Sequence, residues 1–320
     1  MISIITVTYN SRKEIETFLA SVNRIRPAIK DVMEVFVWDN DSSDGTKELL
    51  LSSQERGETL RATISPRNVG LSKAVNRMIA QAKGDLILFA NPDIVIDKTF
   101  LDLLRYAKAH PLSGAVPEFC NQDGIPQRVV SRRVAITTRI LLTSTIMGKS
   151  IIKAFPWLDR NYLYANHRFE TPEEIQQPGG SCLLISREAV ERVSKQGQFY
   201  DERFPVFWND VDLFFRAREH GVNFVLVPSA KVIHSLGHSV KKIDKEFLAM
   251  LFWSRAGLIG IAEEWNLKKT FIRMWMFADA IFLTSIKILA LLKGRRSPRD
   301  KRTFGGEIKM GILRFRCTLR

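Results

Sequence analysis

Cysteine is nearly absent. The 320 residues contain only Cys120, Cys182 and Cys317, without the paired spacings that build a disulfide framework or a zinc site. A reducing compartment is therefore expected. Met1 runs straight into an apolar, β-branched stretch, with no basic leader and no small-residue cleavage site behind a longer apolar region, so secretion is not expected. No Gly-x-Gly-x-x-Gly follows the first strand-like run, which argues against a dinucleotide-dependent oxidoreductase. Internal repeats and recognised nucleic-acid modules are also missing. The longest apolar stretch, Met274 to Leu292, is interrupted by Asp279, Thr284, Ser285 and Lys287. A bilayer span needs about 20 apolar residues, and a charge at its centre costs roughly 2.5 to 3.5 kcal/mol.

Positive charge is present in excess, at a formal +14. From Lys287 to Arg320 there are 11 Lys or Arg against Asp300 and Glu307, a net of +9, which leaves +5 for the first 286 residues. Basicity confined to a tail beside an apolar, tryptophan-bearing segment favours an anionic membrane surface over a nucleic-acid duplex. The favoured reading of Met274 to Leu292 is an interfacial helix. Trp275, Phe277, Ile281, Phe282 and Ile288 would face acyl chains, and Arg273, Lys287 and Lys293 would sit at headgroup level. A spanning or re-entrant helix, and a soluble core or dimer helix, are the alternatives.

With 45% hydrophobic and 26% charged residues, the chain can bury the core of one large domain or two modest ones. Its first hundred residues alternate short apolar runs with amphipathic stretches, the pattern of β-α units around a mostly parallel sheet flanked by helices. Strands are expected at Ser3 to Tyr9, Glu34 to Asn40, Ala62 to Ser65 and Asp85 to Asn91, each followed by a helical pattern. Their C-terminal ends should share one edge, where ligands bind in open α/β sheets. Periodicity weakens between Ile125 and Glu174, a stretch with basic clusters at Arg128, Arg132 and Arg133 and scattered aromatics including Tyr162, and it reads as an insertion covering the site. Regular pattern returns with a strand at Ser181 to Ser186, helices at Arg187 to Lys195 and Asn209 to His220, and a strand at Phe224 to Val227. The division expected is an α/β domain over 1–240 and a helical, basic, membrane-associating region over 241–320.

Four constellations carry chemistry. Asp39 to Thr46 follows an apolar strand and opens a helix. Ser43 and Asp44 suit an N-cap and turn, whereas Asp39, at the strand end, is placed to accept from a pyrimidine imide N–H or ribose hydroxyls. In Asn91-Pro92-Asp93, a strand-end carboxylate can hold a hard divalent cation against a diphosphate. Asp210 and Asp212 lie near a helix start behind the aromatic run Phe204 to Trp208, where a carboxylate can take a proton from an attacking hydroxyl. The fourth is His234 with His238, in which imidazole can join a carboxylate at a Mg²⁺ or Mn²⁺ site.

In this order along the chain, the motifs resemble glycosyltransferase family 2 with its GT-A fold, and in particular its bacterial rhamnosyltransferase-like members. The resemblance rests on Val7-Thr8-Tyr9-Asn10, the Asp39 to Thr46 run, Asn68-Val69-Gly70 with Asn76, Asn91-Pro92-Asp93, Gly179-Gly180-Ser181, Asp210-Val211-Asp212-Leu213, and His234 with Gly237-His238-Ser239. It spans roughly Ile2 to Ser239. It implies direct displacement with inversion at the anomeric carbon of a nucleotide-diphosphate sugar. It also implies a nucleotide-sugar site containing Thr8, Asn10, Asp39, Asp41, Asn68, Gly70, Asn76, Asn91, Gly180 and Ser181. The metal site would hold Mg²⁺ or Mn²⁺ on Asp93 and His234, and Asp210, with Asp212 beside it, would be catalytic. Two positions depart from the family pattern: Asn91 stands where the fullest metal motif has Asp, and Asn209 where relatives usually have Glu.

The subgroup suggests dTDP-rhamnose as donor, with a UDP-sugar as rival, and a lipid-linked saccharide as acceptor. The enzyme is expected to be peripheral on the cytoplasmic face of the plasma membrane, in synthesis of a surface polysaccharide, and its tail leaves a homodimer open. An inactive member acting as a binding protein is the competing reading, opposed by the intact carboxylates at 39, 93, 210 and 212.

Overall fold

The computed structural model describes residues 1–56, 60–127, 141–142, 145–159, 164, 167–235, 257–264, 268–292 and 304–319. Arg128, Arg132, Arg133, Tyr162, Gly237, His238, Ser239 and Lys293 lie outside the described residues, as does the expected division at 240. The chain forms two compact units, one of Met1–Val134 with Leu163–Lys242 and one of Ala135–Tyr162 with Ile243–Arg320. The second unit is thus assembled from two stretches of chain, one of them taken from the expected insertion.

The first unit is built on a mixed sheet. Its strands are β1 (Ile2–Thr8), β2 (Met33–Asp39), β3 (Leu60–Ile64), β4 (Leu86–Ala90), β5 (Ile94–Ile96), β6 (Ser113–Cys120), β7 (Glu173–Glu174), β8 (Cys182–Ser186) and β9 (Asn223–His234). The spatial order is β3-β2-β1-β4-β8-β6-β9-β5, with β7 also on β9. The sheet is parallel from β3 to β4, as the sequence pattern predicts. Strand β8 then enters antiparallel to both β4 and β6. Beyond it, β9 runs parallel to β6 and β5 antiparallel to β9. Strands β5 and β6 were not expected from sequence, and β9 extends seven residues past the predicted Val227 end, so that His234 is its last residue.

Alternation along the strands builds two cores, one on each face. Ile4, Val35, Val37 and Leu88 pack with α1 (Arg12–Ile25) and with α4 (Phe100–Ala109), through Ile15, Phe18, Phe100 and Leu103. Ile5, Phe36, Ile87 and Phe89 pack on the other side with α3 (Leu71–Ile79), α6 (Arg187–Val193) and α7 (Asn209–Glu219). Helix α2 (Thr46–Glu55) follows β2. The buried positions of α1, Ile15, Phe18, Leu19, Val22 and Ile25, recur at the three- and four-residue spacing of one helical face.

The second unit is helical, with α5 (Ile146–Ala154), α8 (Leu258–Glu264), α9 (Lys269–Leu292) and α10 (Phe304–Leu319). The α5 N-terminus is capped by Thr145, whose hydroxyl oxygen accepts from the Gly148 N–H at 3.1 Å. Among the described residues, no helix is long and apolar enough to cross a membrane.

Candidate functional site

Strand directions bring the motifs to one edge. Because β1, β2 and β4 are parallel, Thr8, Asp39 and Asn91 emerge together. Antiparallel β8 begins beside the end of β4, with Ala90 opposite Cys182, which puts Ser181 next to Asn91. Strand β9 ends at the same edge, and Ile94 pairs with His234, so Asp93 enters beside that histidine.

At the β1–β2 corner, Asp39 is fully buried. Its Oδ1 accepts from the hydroxyls of Thr8 at 3.0 Å and Ser42 at 2.5 Å, and its Oδ2 from the Ser42 N–H at 3.0 Å. The carboxylate therefore folds its own loop into a turn. Asn10, at a φ of 50°, accepts from the Ser43 N–H at 2.8 Å. Asp41, at a φ of 65°, is exposed and pairs with Lys47 at 3.0 Å. Asp44 accepts from the N–H groups of Arg12 and Thr46, the first residues of α1 and α2. Burial would raise its pKa, but these amides and the Thr46 hydroxyl outweigh it and hold the pKa down.

A second cluster ties α3 to the loop ahead of α7. Asn40 accepts from the Val69 N–H at 3.1 Å and donates to the Gly70 carbonyl at 3.3 Å, while Asn68 accepts from the Gly70 N–H at 2.9 Å. The Pro205 carbonyl accepts from the Leu71 N–H at 2.6 Å. Gly70 has a φ of 86°, and a Cβ there would lie 2.7 Å from the Pro205 carbonyl oxygen. Asn76 brackets Tyr200, donating to its carbonyl at 2.8 Å and accepting from its N–H at 3.0 Å. Asn68, Gly70 and Asn76 thus act on the backbone that presents α7.

The third cluster has the features of a cation site beside a base. Asn91 donates to the Ser181 hydroxyl at 3.2 Å, and the backbone N–H of Asn91 donates to the Ser181 carbonyl at 2.8 Å. Gly180 abuts Asp210 so closely that a Cβ on the glycine would meet the aspartate Cβ at 3.1 Å. His234 Nε2 lies 3.8 Å from Asp93 Oδ2, both side chains being almost wholly buried. Gln127 Nε2 donates to the His234 carbonyl at 2.8 Å, which turns its Oε1 toward His234 Nδ1 at 3.2 Å. This network assigns the proton to Nδ1. Burial pushes the histidine pKa down to about 4, so at neutral pH the ring is uncharged and presents an Nε2 lone pair toward a carboxylate oxygen. A histidine nitrogen and a carboxylate oxygen facing one another at this distance fit a shared divalent cation. Among the described residues, no group of three or more His, Cys, Asp and Glu forms such a site.

The two carboxylates of α7 have different surroundings. Asp210 is half-buried beside Gly180, and its charge adds to burial in opposing ionisation of the Tyr200 phenol. Asp212 is fully buried, and its Oδ2 accepts from Arg216 Nε at 2.9 Å and Nη2 at 2.8 Å. Arg216 also donates to the Val193 and Phe199 carbonyls. Taking a proton from a substrate hydroxyl would require Asp212 to leave this buried ion pair. Trp208 precedes them at a φ of 72°, a conformation strained for a bulky residue and often found at functional sites. Asn209 is 3% exposed and accepts from the Asp210 N–H at 2.9 Å. It supplies no charge where a Glu would.

Sequence reasoning missed Asn40, Ser42 and Gln127 as positioning groups. The four-residue spacing of Asp212 and Arg216 on a helix was a legible ion-pair signal, and Asp39-x-x-Ser42 a legible turn signal. Nothing in sequence linked Gln127 to His234 across 107 positions.

The sequence profile for glycosyl transferase family 2 matches residues 3–194. The chain belongs to glycosyltransferase family 2. It is similar to the N-acetylglucosaminyl-diphospho-decaprenol L-rhamnosyltransferase of Mycobacterium tuberculosis, at 30% identity over 266 residues that cover 78% of this chain and 80% of the relative. The low-salt glycan biosynthesis hexosyltransferase Agl10 of Haloferax volcanii is 22% identical, over 73% of this chain and 67% of its own. Among solved structures, GalNAc-T7 with UDP, GalNAc and Mn²⁺ superposes with a TM-score of 0.56 at 16% identity, covering 73% of this chain and 43% of that one. The chain thus spans less than half of GalNAc-T7. The mannosyltransferase PcManGT from Pyrobaculum calidifontis, in complex with GDP-Man and Mn²⁺, gives 0.51 at 15% identity, over 99% and 86%. The family 2 chain therefore has the GT-A fold and is a rhamnosyltransferase-like glycosyltransferase.

Two stability predictions follow from the site's geometry. Asp212→Asn should lower unfolding free energy by about 3–5 kcal/mol by stranding the Arg216 charge, whereas Asp210→Asn should shift it by under about 1 kcal/mol. Urea denaturation of the two variants reads the difference. Gly70→Ala should cost about 2 kcal/mol or more through its positive φ and the Pro205 clash, visible as a lower urea midpoint.

Proposed function

We propose that this glycosyltransferase moves rhamnose from dTDP-rhamnose, with inversion, to a hydroxyl of a saccharide carried on a lipid diphosphate. The observation that carries the reading is the convergence of Asp93 with His234, Asn91 with Ser181, and Gly180 with Asp210 at one sheet edge. The mycobacterial relative's name, which specifies both a rhamnosyl group and a lipid-linked N-acetylglucosamine, supports the donor sugar and the acceptor class. A UDP-sugar is the rival donor. Transfer would take place at the cytoplasmic face of the membrane, where a lipid-linked acceptor is met.

Asp210 takes the proton of the acceptor hydroxyl as its oxygen attacks the anomeric carbon from the side opposite the nucleotide. The new glycosidic bond forms as the bond to the diphosphate breaks, and the diphosphate leaves with the electron pair. No covalent sugar–enzyme intermediate is required. Asp93 and His234 would hold Mg²⁺ or Mn²⁺, which would supply positive charge to the leaving diphosphate. Gly180 keeps the space in front of Asp210 open, since any side chain there would press on the carboxylate. The loop of Thr8, Asn10, Asp39 and Asp41 provides the nucleoside end of the site, with Asp39 as the base-recognising group. Asn209 puts an uncharged amide, which accepts from the Asp210 N–H, where relatives usually carry a Glu.

Thermal unfolding against a panel of nucleotide sugars, with and without Mn²⁺ or Mg²⁺, tests donor and metal together. A ligand at about 100 times its dissociation constant stabilises by roughly 2.7 kcal/mol. We expect a metal-dependent rise in Tm with dTDP-rhamnose that Asp93→Ala abolishes. A rise with a UDP-sugar alone would reassign the donor. No rise with any nucleotide, in folded protein, would favour an inactive member of the family. Asp210→Asn should lower kcat by about 10²–10⁴-fold and leave donor Kd within about twofold, as read by product formation and by the same thermal shift.

A further inference from the structure

The C-terminal unit carries most of the large apolar side chains that are exposed among the described residues. Of the sixteen large apolar side chains exposed among the described residues, thirteen belong to this unit, which makes up about a third of the chain. On α9 the exposed apolar positions include Met274 at 66%, Ile281 and Leu289, which recur every seven or eight residues and so share one face. On α10 the exposed Ile308, Ile312 and Phe315 follow at intervals of four and three. Ser285, Lys309 and Arg316 are exposed beside these positions, while three other polar groups are turned inward. Asp279 is fully buried, Arg314 is 6% exposed, and Thr318 is buried with them. Asp279 accepts from the Met147 N–H at the start of α5, where a carboxylate suits the helix dipole, and Arg314 lies close enough to act on its charge.

In water a helix pair buries its apolar face and exposes its charges. An apolar stripe left outward is stable where the surrounding medium is hydrocarbon. Two candidates could cover such a face, a second copy of the chain or a lipid leaflet. The α9–α10 connection, residues 293–303, carries six Lys or Arg against Asp300, a net of +5. A symmetric dimer of these helices would bring two strongly basic tails together, whereas anionic headgroups are complementary to the charge. No described helix is both long and apolar enough to cross a bilayer, so the inference places the pair in one leaflet rather than across it.

We infer that α9 and α10 form a hairpin that seats its outward apolar stripe among the acyl chains of an anionic leaflet. The inference rests on the proposed function only for the reason the enzyme needs a membrane. It predicts lipid binding without donor or acceptor.

The test is flotation of the full chain with vesicles of phosphatidylglycerol and phosphatidylethanolamine, or of phosphatidylcholine alone. Binding to the anionic vesicles should exceed binding to the neutral ones. It should fall by about tenfold or more in the triple variant Met274→Glu, Ile281→Glu, Leu289→Glu. The milder pair Ile281→Gln and Leu289→Gln, at exposed positions that folding tolerates, should lower it in the same direction. Replacing Arg295, Arg296 and Lys301 by Gln should remove the preference for anionic lipid. Unchanged flotation in both apolar variants, with unaltered thermal unfolding, would overturn the inference. So would conversion of a dimer to a monomer by those variants without loss of flotation. Transfer to a water-soluble acceptor, measured in parallel, separates the two readings. Transfer without vesicle binding sinks the hairpin alone, and vesicle binding without transfer sinks the proposed chemistry alone.

Discussion

The reversed insertion of β8 between β4 and β6 is the constraint on which the site depends. A wholly parallel sheet would place Ser181 and the glycines before it at the opposite edge from Asn91. Because β8 enters antiparallel to β4, its first residues meet the last residues of β4. The same reversal lets β6 and β9 run parallel to the first four strands, so His234 also ends at that edge. Asp93 joins it because β5 turns back against β9. One change of direction therefore assembles the candidate cation ligands, the glycine step and the helix that bears Asp210.

The edge is held by polar side chains spent on backbone. Asn40 fixes the Val69–Gly70 corner, Asn76 fixes Tyr200, and Gln127 fixes both the carbonyl and the ring of His234. Each is an amide that satisfies one donor and one acceptor at once, a role charged groups cannot fill without carrying a field into the site. The buried Asp212–Arg216 pair does carry charge, but Arg216 extends it to the carbonyls of Val193 and Phe199, anchoring α7 to α6 and to the loop before Tyr200. Buried ion pairs contribute little net stability, yet they specify geometry because either partner alone is costly. Here the geometry specified is the seat of Asp210.

The parallel half of the sheet was legible because each of its strands is an apolar run of the right length followed by an amphipathic helix. The second half was less so. Ser113–Cys120 contains Gly114 and Pro117 and offers little alternation, while Ile94–Ile96 is only three residues long. Such strands are defined by the partners they find. Among the site residues, Asp93, Asp210 and His234 could be singled out because a carboxylate or imidazole at a strand or helix end has few other uses. Asp39 and Asp212 show the limit of that logic. Both carry the right chemistry at the right place, and both are engaged internally, by Ser42 three residues on and by Arg216 four residues on. Those partners are local and were visible in the spacing, but spacing alone does not rank a local bond against a ligand.

The two units answer to different surroundings. In the first, Asp93, Asp212 and His234 are buried inside a polar network at the sheet edge, and apolar side chains fill the two cores. In the second, a carboxylate and a guanidinium lie inside while Met274, Ile281, Leu289 and Ile312 face outward. The sequence reading took Asp279 and Lys287 as marks against a spanning helix, which treats charge as a cost to be counted along the helix. The structure adds the direction of that charge, since Asp279 is turned inward onto the N-terminus of α5. An inward carboxylate leaves Met274, Ile281 and Leu289 outward without a carboxylate between them, and that outward stripe, rather than total hydropathy, is what a single leaflet can take up.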